Sequence, residues 1–207
     1  PNLQVGGFQT HPGLEKDSIK IDVVGSSTHI KFQHDAHCPE ISPVHCAELD
    51  NEIDPHVHKQ TMTLSQMNTS LGYGLGGGWQ LSGMLPFQVK DTTIDYVDMD
   101  GNPFVPPYGN IHHRNETLSG IGDAEVEVQH YKRLPSDWIL GAGLGTTIPL
   151  GRTEADPYAL AKQGETHQHL QMGSGTFVPL GRLSAMYSGM RWGVLGSLNG
   201  KLPLYEN

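Results

Sequence analysis

Apolar and polar side chains alternate strictly through several successive segments, and this alternation most constrains how the chain can fold. From Trp79 to Val89 the odd positions are mostly apolar, and from Trp138 to Leu150 the even positions are. A period of two indicates β-strands, because successive side chains of a strand point to opposite faces. Similar segments occur at 19–32, 63–73, 122–133, 177–187 and 192–204. The sequence therefore predicts about seven antiparallel strands.

Connections between these segments alternate between short and long. Short turns are expected at 74–78, 134–137 and 188–190, and long polar loops at 33–59, 91–116 and 151–166. Six aromatic residues flank the short turns: Tyr73, Trp79, Tyr131, Trp138, Tyr187 and Trp192. Short turns at one rim, long loops at the other and an aromatic girdle at the interface are typical of transmembrane β-barrels. Only Tyr131 has the parity of the polar face, so it requires a β-bulge or an inward-pointing ring.

The pattern predicts an all-β protein, an antiparallel up-and-down transmembrane β-barrel over residues 18–207, preceded by an N-terminal periplasmic segment at 1–17. Seven strands would place the chain ends on opposite sides of the membrane, whereas closed single-chain bacterial barrels usually have an even number of strands. Either one strand escapes the pattern or this chain is part of a larger barrel, and we favour the larger barrel. A soluble, secreted β-sandwich is the alternative, since its strands alternate too. The long segments and the one-sided loops favour the barrel.

Three stretches carry a resemblance to a known family: Ser119–Asp123, Leu140–Gly151 and Gln171–Phe177. A Gly-x-Gly-Asp strand start, a glycine-alternating strand that ends in a proline-containing corner, and a Gly-Ser-Gly strand start follow in that order. This succession resembles the outer-membrane β-barrel transporters of the phenol meta-degradation pathway and their proteobacterial relatives. The resemblance covers roughly residues 61–204, and residues 1–59 have no clear counterpart. It implies a barrel of about 12 strands in the outer membrane of a Gram-negative bacterium, with a transport role.

Composition excludes several other classes of function. The net charge of −9 argues against nucleic-acid binding, which requires a basic face. No stretch approaches the ~20 apolar residues of a helical membrane span. A hydrophobic content of 36% is nevertheless compatible with a barrel, in which only every second strand residue must be apolar. The chain has no Gly-x-Ser-x-Gly elbow, His-Glu-x-x-His motif or phosphate loop, so we do not expect an enzyme.

Histidines are concentrated in or beside the predicted long loops, where they are candidate ligands for Cu or Zn. Nine of the twelve lie there: His34, His37, His45, His56, His58, His112, His113, His167 and His169. His56-Val57-His58 and His167-Gln168-His169 each place two imidazoles on one side of an extended chain. Exposed loops also tolerate histidine without any metal, and no spacing matches a structural zinc motif. The acidic segment 95–102 is interpreted as a surface loop closed by an Asp-Gly turn, because it lacks the distal Glu of a calcium loop.

Two further sets of residues have candidate roles. Cys38 and Cys46 lie close together in one loop and are predicted to form a disulfide in an oxidising compartment, the alternatives being reduced thiols or metal ligands. Six charged residues have the parity of the barrel interior: Asp123, Glu125, Glu127, Arg182, Arg191 and Lys201. In an open pore such charges set the ion preference. Alternatively, they pair across the lumen and plug it.

The sequence as a whole predicts an outer-membrane channel or uptake protein for small molecules, embedded in lipid and with a His-rich extracellular face. The first alternative is a metal-binding or adhesive surface protein that the barrel anchors. The second is the soluble sandwich. The transported substrate and the oligomeric state are left open.

Overall fold

The computed structural model describes residues 13–36, 56–105, 115–153, 159–160, 163, 170–188, 191 and 193–204, with the side chains of 34–36 excepted. The strands are β1 (Ile19–Ala36), β2 (His56–Gly76), β3 (Trp79–Asp98), β4 (Glu116–Ile121), β5 (Ala124–Arg133), β6 (Trp138–Ile148), β7 (Pro179–Ser188) and β8 (Gly193–Lys201). In this part of the chain, no helix has the length and apolar character needed to cross a membrane.

All strands belong to one antiparallel sheet with the order β1-β2-β3-β5-β6-β7-β8. Strands β4 and β5 both pair with β3, β4 along Phe87–Thr92 and β5 along Trp79–Met84. They are therefore two pieces of one long strand, interrupted at Gly122 and Asp123. The result is a curled half-barrel with seven strand positions, which confirms the predicted all-β antiparallel class and strand number.

The two faces of the sheet have opposite chemistry, and the polar face is the buried one. On the concave face Gln80, Ser82, Glu127, Gln129 and Arg182 are all buried. On the convex face large apolar side chains are exposed in almost every strand, among them Ile21, Leu71, Leu85, Val128, Leu140, Leu183 and Leu198. Curling of a single-layer sheet brings its inner side chains together, and in this chain most of those side chains are polar, with Met84, Ile139 and Leu180 buried among them.

Three strands are longer than the sequence pattern predicts. The expected loop at 33–59 is wrong at both ends, because β1 continues to Ala36 and pairs there with β2, which begins at His56. The expected loop at 91–116 is likewise too long, because β3 runs to Asp98 and β4 begins at Glu116. Polar residues occur on both faces of these extensions, so the alternation that would predict a strand is absent. The backbone pairing between the strands nevertheless continues. The connection between β6 and β7 extends to residue 178, well beyond the predicted 151–166.

Short turns connect the strands at the opposite rim. Strand β2 runs through Gly76, so the first turn is shorter than the predicted 74–78, and Gly76, Gly77 and Gly78 all have positive φ angles. Residues 134–137 separate β5 from β6. Strand β7 ends at Ser188, and the predicted turn residues 189 and 190 lie outside the described residues. At this rim Gly13–Ser18 folds back over the sheet, where the Leu14 amide donates to Gln80 Oε1 at 3.2 Å.

Candidate functional site

A trough along β6 organises the middle of the concave face. Three successive concave positions of this strand are glycines, namely Gly141, Gly143 and Gly145. A Cβ at Gly141 would lie 2.6 Å from Tyr131 Cε1, and a Cβ at Gly143 would lie 2.9 Å from Gln129 Cγ and 3.0 Å from Glu127 Oε2. Contacts this short leave no room for a side chain. The alternating glycines therefore let side chains of β5 lie across the backbone of β6.

Across this trough β5 and β7 form a buried ion pair. Arg182 Nη2 donates to Glu127 Oε1 at 2.7 Å, and Arg182 Nε donates to Glu127 Oε2 at 3.1 Å. Their side chains are only 7% and 1% exposed. Gln129 Nε2 donates to Glu127 Oε2 at 2.7 Å, while Gln129 Oε1 accepts from Tyr131 Oη at 2.9 Å and from Gln80 Nε2 at 2.6 Å. Pairing and hydrogen bonding of this kind are what a buried charge requires.

The other predicted interior charges lie in different surroundings. Lys201 Nζ lies 2.6 Å from Glu125 Oε1, so β8 is tied to β5 across the concave face. Arg191 is exposed and lies between the end of β7 and the start of β8, outside both strands. Asp123 lies in the interruption between β4 and β5. Four of the six residues thus form two ion pairs, and Asp123 belongs to a separate site.

The Asp123 site brings together the three stretches that carry the family resemblance. Asp123 Oδ1 accepts from the Gly151 amide at 3.1 Å. Asp123 Oδ2 accepts from the Ser174 amide at 2.6 Å and from Ser174 Oγ at 2.7 Å. A Cβ at Gly151 would lie 2.6 Å from Gly173 Cα, so the two backbones touch directly. The sequence pattern predicts a strand or a strand start in each stretch but gives no sign of this contact, because parity carries no information on pairing between distant loops.

At the far end of the long strands, two of the predicted metal ligands form a buried pair. His56 and His58 are 1% and 2% exposed, and their Nε2 atoms lie 2.9 Å apart. The ring of Phe104 stacks on His56 with a centroid distance of 4.7 Å, and Tyr96 meets His58 edge-on at 4.9 Å. Burial raises the pKa of Tyr96 to about 12. Their spacing of two residues places both imidazoles on one face of β2, and their burial shows that this is the inner face.

None of the other predicted metal ligands has a described side chain at this histidine pair. His34 pairs through its backbone with His58, but its side chain is not described. The other candidates lie outside the described residues: His37, His45, His112, His113, His167, His169, Cys38 and Cys46. Within the described ranges, no group of three or more His, Cys, Asp or Glu side chains that could hold a metal ion is present.

The predicted aromatic girdle divides between the two faces. Trp138 and Tyr187 are cross-strand partners with ring centroids 5.4 Å apart, and both belong to the outward face. Tyr73 and Trp79 are exposed on the same face. Tyr131 instead points inward, to Gln129, which is one of the two arrangements that its parity allowed. Trp192 lies outside the described residues.

The outward apolar surface ends at one level across neighbouring strands. The last fully apolar row joins Met67, Phe87 and Ile121, which are paired side by side. Four residues further along the strands, the outward row consists of His29, Thr63, Asp91 and Thr117. These side chains bond to one another, His29 Nδ1 to Thr63 Oγ1 at 3.1 Å and Thr117 Oγ1 to Asp91 Oδ1 at 2.5 Å. The outer surface therefore changes from an apolar band to a polar collar within a few residues.

No family model matches this chain, and neither curated proteins nor solved structures give a match to it. What the chain offers for a function is therefore its geometry: a polar concave face, an apolar outward band with a defined upper edge, and a buried histidine pair.

Proposed function

We propose that this chain forms wall strands of an outer-membrane β-barrel whose polar concave face lines a passage for small molecules. The observation that carries the proposal is the outward apolar band, which lies on the opposite face from the buried polar network. Lipid is the solvent that favours this inside-out distribution of side chains. A transport role is also what the resembled outer-membrane family would imply.

The height of the band fits a bilayer. On β3 the outward apolar residues run from Trp79 to Val89. At about 3.4 Å per residue this is about 34 Å along the strand. Strands of such barrels tilt by about 40°, which leaves about 25 Å along the membrane normal, the usual height of the lipid-facing band. The next three outward residues of β3, Asp91, Thr93 and Asp95, are polar, as expected where the strand leaves the membrane.

A secreted β-sandwich would distribute its residues in the opposite way. Two packed sheets bury their apolar faces against each other and present polar faces to water. In the described sheet the apolar face is exposed, and Glu127, Arg182 and Gln129 are buried on the other side. Exposed apolar surface on this scale requires a covering phase or partner. Lipid supplies it along all seven strand positions at once.

The chemistry of the concave face favours small polar solutes over strongly charged ones. Arg182 is paired with Glu127, and Lys201 is paired with Glu125. Paired charges leave hydrogen-bonding groups in the passage and only a weak net field. We therefore expect weak ion selectivity.

Reconstitution of the full-length protein in lipid tests the proposal. We expect the protein to require detergent for solubility and to give discrete conductance steps in planar bilayers, with weak preference between K⁺ and Cl⁻. Monodisperse protein without detergent, or the absence of conductance from protein shown to be inserted, would contradict it.

The histidine pair favours a second function, the binding of a transition metal at the loop end. Two nitrogen ligands about 2.0 Å from one metal are about 2.8 Å apart at a right angle and about 3.3 Å apart in a tetrahedron. The His56–His58 Nε2 separation of 2.9 Å lies in this range. Cu(II) accepts right-angled nitrogen ligands and is the better fit.

Calorimetric titration with Cu(II) and Zn(II) tests the metal site. We expect Cu(II) to bind more tightly than Zn(II), and His58→Ala to weaken Cu(II) binding by at least tenfold, which is about 1.4 kcal/mol. His29→Ala is the matched control, because His29 is an exposed outward residue that bonds Thr63. Affinity no tighter than millimolar, or an equal loss in the control, would exclude the site.

A further inference from the structure

We propose that Gln171–Ser174, fastened to the wall by Asp123, forms the constriction of the passage. This inference rests on the proposed function, and it names the part of the chain that sets the size limit for a solute. Asp123 is a positioning residue in this proposal. The segment itself is what a passing molecule meets.

The segment lies on the inner side of the sheet. Gly120 pairs with Gln88, and its Cβ would lie 3.7 Å from Met172 Cγ. A Cβ at Gly122 would lie 2.8 Å from Gln88 Nε2 and 3.2 Å from the Met172 carbonyl oxygen. Gln88 has the parity of buried Gln80 and Ser82, so Met172 packs over the concave face. Its burial at 9% exposure shows that the wall encloses it.

Several hydrogen bonds hold the segment in this position. Lys90 Nζ donates to the carbonyl oxygen of Gln171. The amides of Met172 and Gly173 donate to the Arg152 carbonyl oxygen at 3.0 and 3.3 Å. The Ser174 amide and hydroxyl donate to Asp123. The segment is therefore fixed to three parts of the molecule, namely β3, the residues that follow β6, and the β4–β5 interruption.

Asp123 ties both ends of the long β6–β7 connection to one point. Its Oδ1 binds Gly151 near the start of the connection, and its Oδ2 binds Ser174 near the end. A carboxylate can do this because its two oxygens accept in different directions. Charge-assisted bonds to backbone amides are stronger than neutral ones. Among the contacts that hold Gln171–Ser174, the carboxylate of Asp123 is therefore the one that joins this segment to the start of the same connection.

The glycines of the site show that close approach is built into the sequence. A Cβ at Gly151 would lie 2.6 Å from the Gly173 backbone nitrogen and 2.7 Å from the Met172 carbonyl carbon. The two ends of the connection could not come into contact if a residue larger than glycine stood at position 151. Because Gln171, Gly173 and Ser174, the more exposed residues of the segment, carry no charge, we infer that the segment selects solutes by size and not by charge.

Single-channel recording with a size series at Met172 tests the inference. Met172 packs between the segment and the wall at Gly120 and Gly122, so Met172→Ala should let the segment lie closer to the wall. We expect conductance to rise on the order of twofold and larger polyethylene glycols to be admitted, since the narrowest section limits passage. Met172→Trp should lower both. Asp123→Ala should raise conductance and add open-channel noise. Met99→Ala is the matched control, because Met99 is exposed in a turn beyond β3. Wild-type conductance in Met172→Ala and Asp123→Ala overturns the inference.

A thiol-accessibility measurement separates this inference from the proposed function. Met172→Cys, in a background with Cys38→Ser and Cys46→Ser, is labelled by a bulky maleimide in the folded, reconstituted protein. We expect slow labelling, and labelling at least tenfold faster when Asp123→Ala is added. Equal rates overturn the inference even if the protein conducts. If Asp123→Ala accelerates slow labelling but the protein does not conduct, Asp123 does hold the segment in place, and the proposed passage is rejected.

Discussion

Arg182 and Glu127 show what single residues contribute to the interior. Removing one partner leaves a buried charge without compensation, so we expect Arg182→Ala to lower the free energy of unfolding by about 3–5 kcal/mol. The paired change Arg182→Met with Glu127→Gln should cost much less, because both charges disappear together. Urea titration of the reconstituted protein measures both. Equal losses in the single and paired variants would show that the ion pair does not account for the effect.

The glycines of β6 make a second prediction at this scale. Gly141→Ala places a Cβ 2.6 Å from Tyr131 Cε1, and the ring has no freedom to retreat because its hydroxyl binds Gln129. We expect a loss of about 1–3 kcal/mol, typical of overpacking. Gly196→Ala is the control, since its Cβ would meet nothing within 4 Å. That control should be neutral or stabilising in the same unfolding assay, and an equal loss in both variants would contradict the trough.

The alternation in the sequence predicts which side chains share the inner face. It placed Glu125, Glu127, Arg182 and Lys201 on one face, and it allowed for an inward Tyr131. It did not foresee that Glu127 and Arg182 meet across an intervening strand. Contacts between side chains two strands apart depend on the room above the middle strand, and only the pairing register reveals that the glycines of β6 provide it.

At the scale of elements, strand existence was predictable and strand length was not. The apolar alternation that marks β3 ends near Val89, but the strand continues to Asp98 because β2 remains paired with it. The fourth strand was predicted to begin only at residue 122, and its first part, β4, which pairs with Phe87–Thr92, was missed. An alternation of apolar and polar residues appears only where one face of a strand contacts lipid or a protein core. Backbone hydrogen bonding continues wherever a partner strand exists.

The turn that ends β3 gives a prediction on pH. A hydrogen bond from the Asn102 side chain, followed by backbone amide bonds, lowers the pKa of Asp98. A depressed pKa stabilises the turn above the usual value of about 3.9, and this contribution is lost as the pH falls through the depressed value. We expect Asn102→Ala to move the Asp98 pKa upward in an NMR titration. Asn115→Ala, which removes an acceptor for the Ile94 amide, should leave it unchanged. A shift in the control alone would contradict the assignment.

For the molecule as a whole, the inside-out distribution was accessible from the sequence because it needs only parity and turn spacing. The convergence of Asp123, Gly151 and Ser174 was not accessible. Their sequence separations of 28 and 51 residues are bridged by folding of the long connection, for which the sequence carries no periodic signal. Local patterns therefore predict the strands of the wall, whereas the position of the inner segment is seen only in the folded structure.

Lipid contact predicts that the cost of a charge on the outward face depends on depth. Leu85→Arg lies in the middle of the apolar band of β3 and should cost about 2–4 kcal/mol of folding free energy in liposomes. Leu81→Arg, nearer the short-turn rim, should cost less. Thr61→Arg is the control, because it lies on the outward face of β2 above the band, level with Thr93, and should cost about 0–1 kcal/mol. If a protein partner covered the band instead, the cost of each arginine would depend on whether its position lies inside that interface and not on its depth. Lipid is identified as the covering phase if the cost rises steadily toward the middle of the band on β3 and is equally high for Val23→Arg, which lies in the same row on β1. Equal costs at Leu85 and Thr61 would reject lipid contact.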